Sequence, residues 1–179
     1  MKPKILIIYK SSTGFTQKYA VLLAKRLNCT AVDLKHIKSV SLSDFDTIIF
    51  GTRAHANSID GLKKFRKTLH RYRGTRPDIL FVTGAASDAE KEAIDRLWKN
   101  NLTIDELAHL PHFYLPAGLC YEKMSFTDKI MMKGLAAMLK SKKDKTKKDF
   151  ELEKRISSSF DISSEKYIEP IITYISQDK

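Results

Sequence analysis

Short runs of apolar, often β-branched residues alternate along this chain with longer segments that mix apolar and charged residues. Each short run fits a strand buried on both faces, and each longer segment repeats its apolar residues at the spacing of a helix with one buried face. The pattern predicts strands over about residues 4–9, 30–34, 46–51, 78–84 and 112–119. It predicts helices over about residues 15–27, 61–72 and 89–100, and a last helix over about residues 163–176.

Strands that alternate with helices are typical of a parallel sheet covered by helices on both faces. The predicted fold is therefore a three-layer α/β sandwich around a five-stranded parallel sheet. With 179 residues, of which 42% are hydrophobic, the chain has the size and apolar content of one domain. We expect that single domain to span residues 1–179 and to carry an insertion over about residues 122–150.

The first predicted strand runs directly into a loop of small polar residues, which then opens the first helix. In the segment KILIIYKSSTGFT, over residues 4–16, hydroxyl side chains and backbone N–H groups converge at the positive end of that helix. The loop is a candidate phosphate site, formed by Ser11, Ser12, Thr13, Gly14, Phe15 and Thr16. An ordinary capped turn between a strand and a helix is the alternative interpretation.

The spacing within this loop narrows the class of phosphate ligand. The chain lacks the G-x-G-x-x-G pattern, and it lacks the G-x-x-x-x-G-K-[ST] pattern whose lysine contacts nucleoside triphosphates. What remains is [ST]-x-T-G-x-T after the first strand, which resembles the loop that holds the monophosphate of FMN in flavodoxin-like proteins. The resemblance implies FMN as the cofactor and a strand order of 2-1-3-4-5. With right-handed crossovers, the ligand crevice then lies at the carboxyl ends of the first, third and fourth strands.

Two further loops are expected to meet the phosphate loop at that crevice. In flavodoxin-like proteins they hold the flavin ring, usually with aromatic residues on its faces, and the resemblance extends this role to both loops here. Neither loop contains Trp, Tyr or Phe, so Arg53 or His55 either covers the ring or is solvated, and FMN is expected to bind weakly or only with a partner. The two loops comprise Thr52, Arg53, Ala54, His55, Ala56, Asn57 and Ser58, and Gly84, Ala85, Ala86, Ser87 and Asp88.

The segment after the fifth predicted strand distinguishes this chain from a minimal flavodoxin. Residues 117–121 read Ala-Gly-Leu-Cys-Tyr, and a helix predicted over residues 125–140 follows. Its apolar residues are expected to share roughly one face, with lysines elsewhere: Phe126, Ile130, Met131, Leu135, Met138 and Leu139 against Lys129, Lys133 and Lys140. The pattern A-G-x-x-Y, followed by Phe126-Thr127-Asp128-Lys129 and a methionine-rich helix, resembles the flavodoxin-like, menaquinone-dependent protoporphyrinogen oxidases.

This second resemblance implies an FMN-dependent oxidoreductase of haem biosynthesis, in which a reduced substrate gives hydride to the flavin and a quinone accepts the electrons. No side chain stands out as a general acid or base. Arg53 is a candidate for binding an acidic group of the substrate, and Asp88 and His55 are candidates by position alone. Two alternatives stay open, namely an electron-transfer carrier without its own substrate and an interaction domain that has lost the flavin.

The apolar face of the basic helix has several possible interpretations, and the lysine-rich run that follows the helix has a separate one. The apolar face of the helix packs on the sheet, docks on a hydrophobic partner, or lies on an anionic membrane surface where quinone is dissolved. Residues 141–149 are highly charged and have no apolar face, so they are expected to form a mobile loop.

Net charge restricts the partners further. The chain has a formal charge of +11 and a pI near 9.6, whereas electron-carrier flavodoxins are strongly acidic. Positive charge favours anionic lipid headgroups, acidic proteins or porphyrin propionates. A specific nucleic-acid partner is not expected, because the basic residues are spread over several elements without interleaved aromatic residues. The expected partners are a small redox substrate or quinone and an anionic membrane surface, and the oligomeric state is left open.

Cysteine and histidine usage predicts neither disulfides nor a metal site. Cys29 and Cys120 lie far apart without a C-x-x-C pattern, so both are expected to be reduced and buried. The histidines show no ligand spacing: His36, His55, His70, His109 and His112. Because the apolar runs are too short to span a membrane and no leader is recognised, the expected location is cytoplasmic, with peripheral membrane contact as an option.

Overall fold

Five parallel strands form the central sheet, and a short antiparallel strand extends one of them. In this computed structural model, which describes residues 3–72 and 78–177 without the side chains of residues 70–72, the strands are β1 (Ile5–Tyr9), β2 (Thr30–Asp33), β3 (Thr47–His55), β4 (Ser58–Ile59), β5 (Ile79–Gly84), β6 (His112–Pro116), β7 (Gly118–Leu119) and β8 (Phe160–Asp161). The parallel strands lie in the order β2-β1-β3-β5-β6. This is the order 2-1-3-4-5 of the five predicted strands, so the predicted fold is confirmed.

Helices cover both faces of this sheet. The helices of the described part are α1 (Phe15–Leu27), α2 (Leu62–Tyr72), α3 (Lys91–Asn101), α4 (Ile104–His109), α5 (Phe126–Ser141), α6 (Lys147–Arg155) and α7 (Glu169–Gln177), with 3₁₀ turns at Leu34–Ser39, Leu42–Asp44, Tyr121–Lys123 and Glu165–Ile168. All five predicted helices are present. Four of them are α1, α2, α3 and α5, and the last, predicted over 163–176, corresponds to the final 3₁₀ turn together with α7. The short helix α4 was not predicted, although Thr103 and Glu106 form a capping box at its start.

Successive side chains of β1 enter two apolar clusters on opposite faces of the sheet. Leu6 and Ile8 pack in one cluster with residues of α2 and α3, where the rings of Phe50 and Phe65 stack with centroids 3.9 Å apart. Ile7 packs in the other cluster with residues of α1 and α7. The two clusters make a three-layer molecule, because a strand in the middle of a parallel sheet is buried on both faces.

The second predicted loop is not a loop along most of its length. β3 continues four residues beyond the predicted end at 51 and turns back into β4, with Ala54 opposite Ile59 and His55 opposite Ser58. Ala56 and Asn57 form the two-residue turn, with φ of 47° and 61°. Positive φ at both turn residues matches the twist of an antiparallel hairpin, and Ala56-Asn57 lacks the glycine that commonly marks such a turn in a sequence.

The fifth predicted strand, over 112–119, is two strands with different partners. β6 ends at Pro116 and pairs with β5, whereas β7 pairs antiparallel with β8, so that Gly118 lies opposite Asp161 and Leu119 opposite Phe160. Pro116 lacks an N–H group, and the last hydrogen bond to β5 is donated by Ala117, whose N–H lies 2.8 Å from the carbonyl oxygen of Gly84. The chain leaves the central sheet at this point and returns to the same place through β8.

The helix predicted over 125–140 is present as α5, but its apolar residues do not share one face. Leu139 is buried and Leu135 is half-buried, on the side that packs against α6. Phe126, Ile130 and Met138 point outward and are more than half exposed. The expected single apolar face is therefore wrong, and so is the alternative in which that face packs wholly on the sheet.

The lysine-rich run expected to be a mobile loop is partly helical. Thr146 and Asp149 form a capping box at the start of α6, and Lys142 pairs with Asp149 at 2.6 Å. Lys145 pairs with Glu153 at 2.8 Å. Neutralisation of these lysines by acidic residues of α6 and capping of its first turn stabilise a helix that an apolar-periodicity argument does not detect.

Both cysteines are free thiols and are half-buried rather than buried. Burial raises the pKa of the Cys29 thiol to about 11. Within residues 3–72 and 78–177, no helix is both long enough and apolar enough to cross a bilayer.

Candidate functional site

The loop between β1 and α1 presents an open helix N-terminus. Gly14 is the N-cap residue of α1 and adopts φ 99°, a left-handed conformation that is strained for a residue with a side chain. Its N–H donates to Oγ of Ser11 at 3.1 Å, which closes the loop. The N–H groups of Ser12 and Thr13 have no acceptor within the described part of the chain, and the first turn of α1 contains no acidic residue. The positive end of the helix is therefore available to an anion.

A lysine ammonium lies directly above this loop. The Nζ atom of Lys123 is 3.9 Å from the position that a Cβ atom on Gly14 would take. Within the described residues, no carboxylate pairs with Lys123, whereas the neighbouring Lys18 is held by Asp161 at 3.1 Å and by Ser163 at 2.6 Å. Lys123 was not predicted as a site residue, because it enters from the 3₁₀ turn after β7, far along the chain.

An open cavity of about 520 Å³ lies between the phosphate loop and the β7–β8 pair. Its lining includes Thr13, Gly14 and both lysines on one side and Ser159, Phe160 and Asp161 on the other. The cavity shares Thr13, Phe15, Leu119 and Cys120 with a smaller one of about 90 Å³ at the carboxyl edge of the sheet. A ligand whose phosphate lies at α1 can thus extend along the edge of the sheet.

The three predicted loops meet at the smaller cavity, as the strand order required. Its lining from these loops consists of Ser12, Thr13, Phe15, Thr16, Arg53, Ala54, Gly84 and Ala85. A fourth wall, which was not predicted, comes from the segment after β6: Ala117, Gly118, Leu119, Cys120 and Met124. The segment after β6 therefore covers the crevice that in the predicted arrangement is open.

Two predicted ligand hydroxyls are used inside the protein instead. Oγ1 of Thr16 lies 2.8 Å from Oγ1 of Thr83, and both residues are buried. Oγ1 of Thr52 donates to the carbonyl oxygen of Asp60 at 2.5 Å. These hydroxyls fix the phosphate loop and the β3–β4 hairpin on the sheet, whereas the hydroxyls of Ser12 and Thr13 remain at the cavity.

Residues of the two predicted ring loops and of α3 line a third cavity, of about 190 Å³. Ala54 and Asn57 line it from the hairpin, and Ala85 and Ala86 line it from the loop after β5. Tyr114 of β6 supplies an aromatic ring there, and its Oη accepts a hydrogen bond from the N–H of Ala86 at 3.0 Å. Burial raises the pKa of this phenol well above its usual value, so it stays protonated. An aromatic residue of a neighbouring strand therefore lines the cavity between two loops that contain none.

The remaining residues of these loops lie away from the three cavities. Ser87 donates its N–H to Glu90 at 2.8 Å, and Arg155 of α6 binds the same carboxylate at 2.6 Å. The hydrogen bonds from Arg155 are the main reason that the pKa of Glu90 lies below its usual value, and burial opposes them. Neither Asp88 nor Ala56 lines any of the three cavities.

Arg53 lines the smaller cavity, and both Arg53 and His55 contact acidic residues. Arg53 reaches Asp128 of α5 at 3.0 Å and Asp60 at 3.3 Å, and Nε2 of His55 lies 2.9 Å from Asp128. Lys10 also binds Asp60, at 2.5 Å. Burial acts to raise the pKa of Asp128, but the hydrogen bonds from Arg53 and His55 outweigh it, so that the pKa is lowered. Asp128 was not predicted as a site residue, although it belongs to the quoted Phe126–Lys129 pattern.

A family model agrees with this fold, and several solved structures are similar to the chain. A family model described as a flavodoxin domain matches residues 6–146, which is most of the chain. A flavoprotein in complex with FMN from Lactobacillus acidophilus is 16% identical, with a TM-score of 0.42 over 64% of this chain and 92% of that one. A putative flavoprotein from Bacteroides uniformis is 19% identical, with a TM-score of 0.42 over 74% and 99%. The flavodoxin-like, WrbA-like protein from Agrobacterium tumefaciens is 17% identical, with a TM-score of 0.41 over 70% and 87%. A search of curated proteins gave no match.

Proposed function

The chain belongs to the flavodoxin domain family, and from that premise we propose that it is an FMN-dependent oxidoreductase. The observation that carries the proposal is the open N-terminus of α1, with the ammonium of Lys123 above Gly14 and a crevice lined by all three predicted loops beside it. The family membership supports FMN as the cofactor. When bound, FMN would supply one- and two-electron transfer, while the protein fixes its position and controls access to it.

The phosphate end of the site fits a phosphate monoester. The free N–H groups of Ser12 and Thr13, the helix terminus behind them and the ammonium of Lys123 together offer donors and positive charge to a dianion. Gly14 has no Cβ atom, so the backbone can approach the ligand closely at the point where the loop turns. We assign Ser12, Thr13, Gly14 and Lys123 to the phosphate.

The ring end fits an aromatic ligand. Ala54, Ala85 and Ala86 are small and apolar, and Tyr114 lies between the two loops to which these alanines belong. The slot is about 190 Å³ in volume, and the crevice next to it shares Ala54 and Ala85 in its lining. Small-molecule sites are commonly larger, about 300–1,000 Å³, so binding here requires the ligand to use both spaces or the loops to separate slightly.

For the substrate, we propose a reduced porphyrin precursor with acidic groups and, for the acceptor, a quinone. The pattern of residues 117–129 supports this reading, because it resembles that of menaquinone-dependent protoporphyrinogen oxidases. Met124 and Leu119 give the crevice an apolar wall beside Arg53, which suits a large ring with carboxylate side groups. Two carboxylates already compensate Arg53, so it would orient an acidic group and not bind it alone.

The first test is a fluorescence titration with FMN and, in parallel, with riboflavin, which has the same ring but no phosphate. The native protein should bind FMN more tightly than riboflavin. Lys123→Gln should raise the Kd for FMN about tenfold and leave the Kd for riboflavin unchanged, because only the phosphate loses a charged partner. Lys91→Gln, an exposed lysine on α3, is the matched control and should bind both like the native protein. Equal Kd values for FMN and riboflavin would contradict the phosphate assignment.

The second test separates the enzyme from a carrier. Oxidation of protoporphyrinogen under anaerobic conditions, with menaquinone as the acceptor, should proceed with many turnovers per protein. A protein that binds FMN and undergoes reversible reduction without such turnover would be an electron carrier. A protein that does not bind FMN at any concentration would be an interaction domain that has kept only the fold.

A further inference from the structure

One side of α5 exposes an unusual amount of apolar surface. Phe126 is 79% exposed, Met138 is 61% exposed and Ile130 is 53% exposed, and Met131 adds a smaller part. Phe126, Ile130 and Met138 lie on one stripe of the helix, together with Gly134, which has no atom within 4 Å of where its Cβ would be. Single exposed apolar residues are ordinary, but a row along a whole helix marks an interaction surface. We call these four large side chains and Gly134 the outward face of α5.

Three lysines border this face along its length. Lys129, Lys133 and Lys140 follow one another on the side of α5 between the outward face and the side packed on α6. Among the described residues none of the three forms a salt bridge, although hydrogen bonds and, to a smaller extent, Lys129 lower the pKa of the Glu122 carboxyl. Thr127 and Ser141 lie on the same side of α5 as the outward face and add only hydroxyl groups to it. An apolar stripe beside a row of lysines without salt bridges is the arrangement of helices that lie in a membrane interface.

We propose that the outward face of α5 lies in the surface of an anionic phospholipid bilayer, with Lys129, Lys133 and Lys140 at the headgroups. Phe126 and Ile130 would enter the boundary between headgroups and acyl chains. The proposal goes beyond the flavin chemistry, since it uses no residue assigned to FMN and holds for the protein with or without cofactor.

The positive charge beside the outward face favours an anionic bilayer over a second copy of the chain as its occupant. A second copy of the chain would bring another formal charge of +11 against the same lysine row, and the two copies would repel each other. The inner lysines Lys142 and Lys145 are paired with acidic residues of α6, whereas the three lysines beside the outward face are not. Positive charge is thus left without salt bridges where the apolar surface is exposed, and an anionic lipid surface complements both.

The apolar contribution is tested by flotation of the full-length protein with vesicles of phosphatidylcholine that contain about a third phosphatidylglycerol. Ile130→Ser should weaken partitioning about tenfold, because a buried aliphatic side chain is lost from the interface. Ile104→Ser, on α4, removes an 88% exposed isoleucine elsewhere and should partition like the native protein. Equal partitioning of the Ile130→Ser variant and the native protein would overturn the proposal.

The lysine row is tested with two triple variants that have the same net charge. The triple variant Lys129→Gln, Lys133→Gln and Lys140→Gln should bind anionic vesicles about a hundredfold more weakly, since each lysine near the surface contributes about a tenfold factor or somewhat less. The matched triple variant Lys63→Gln, Lys64→Gln and Lys91→Gln loses the same charge from exposed positions of α2 and α3 and should lose far less binding. If both triple variants bind equally, only net charge matters and the proposed orientation is wrong.

Insertion is measured with a tryptophan placed on the helix. Ile130→Trp should show blue-shifted emission on addition of anionic vesicles, and Ile104→Trp should not, after subtraction of the signal of the native Trp98. Sedimentation equilibrium without lipid completes the test. A dimer that Ile130→Ser dissociates would overturn the proposal and assign the face to a second copy.

Discussion

At Gly51 and Gly134, the space around the glycine decides whether an added methyl group would stabilise or destabilise the protein. Gly51 lies in β3 opposite Phe81 of β5, and a Cβ atom there would come 2.0 Å from Cζ of that buried ring. Gly134 lies in α5, where a Cβ atom would meet nothing within 4 Å. The same change, Gly→Ala, thus has opposite consequences at the two positions.

We expect Gly51→Ala to lower the free energy of unfolding by about 2–3 kcal/mol, because the core has no room for the methyl group. Gly134→Ala should raise it by about 0.5–1 kcal/mol, because alanine loses less backbone entropy in a helix. Urea unfolding followed by circular dichroism measures both variants against the native protein. A Gly51→Ala variant that unfolds at the native urea concentration would show that the packing around Phe81 is looser than described.

Single residues also show which parts of the site could be read from the sequence. Ser12, Thr13 and Gly14 were predictable, because one local segment both makes the turn and provides the donors. Lys123 and Tyr114 were not, because each reaches the site from another element and residue type does not encode that distance. Thr16 and Thr52 were predicted to bind the cofactor, but their hydroxyls bond to Thr83 and Asp60, a choice that depends on the packing of β5 and of the β3–β4 hairpin.

At the scale of elements, α5 is attached to the sheet by one buried carboxylate near its start. Asp128 joins Arg53 and His55 at the end of β3, next to the cap formed by Ser125. Its folded-state pKa is lowered, so the unfolded chain takes up this proton at a higher pH than the folded protein does. The stabilisation is therefore complete above the ordinary carboxyl pKa of about 4 and is lost as the pH falls through the lower, folded-state value.

Asp128→Asn should lower the free energy of unfolding by about 1–2 kcal/mol near pH 7, and the difference from the native protein should shrink near pH 3. Urea unfolding at both pH values measures this. Asp95→Asn, at an exposed position of α3, should change the free energy by less than about 0.5 kcal/mol at either pH. A difference for Asp128→Asn that is as large in acid as at neutral pH would mean that the ion pairs do not account for it.

Element boundaries were harder to predict than elements. The core strands and α1 to α3 follow apolar periodicity, and the structure has them within a few residues of the predicted bounds. The β3–β4 hairpin and α6 depend on a left-handed turn at Ala56 and Asn57 and on the capping box of Thr146, which periodicity does not detect. α5 was predicted as a helix, but the division of its apolar residues depends on where α6 lies.

For the whole molecule, the net charge of +11 should act on the rate at which an anionic cofactor arrives. The Debye length falls from about 30 Å at 0.01 M salt to about 3 Å at 1 M, so long-range attraction is lost over this range. We expect the association rate constant of FMN to fall about tenfold, and that of the uncharged riboflavin to change little. Stopped-flow quenching of flavin fluorescence measures both. A rate for FMN that does not depend on salt would show that the charge is too dispersed to steer it.

The antiparallel contact between β7 and β8 has a consequence for how such a protein can change during evolution. Leu119 and Phe160 lie side by side, so the segment between them begins and ends at neighbouring backbone positions. Because its two ends adjoin, we expect the segment with α5 and α6 to be exchangeable as one unit, provided that Arg53 and Glu90, which would lose Asp128 and Arg155, are exchanged with it. The contact between β7 and β8 is a natural splice point at which protein engineers could transplant this unit onto a smaller relative.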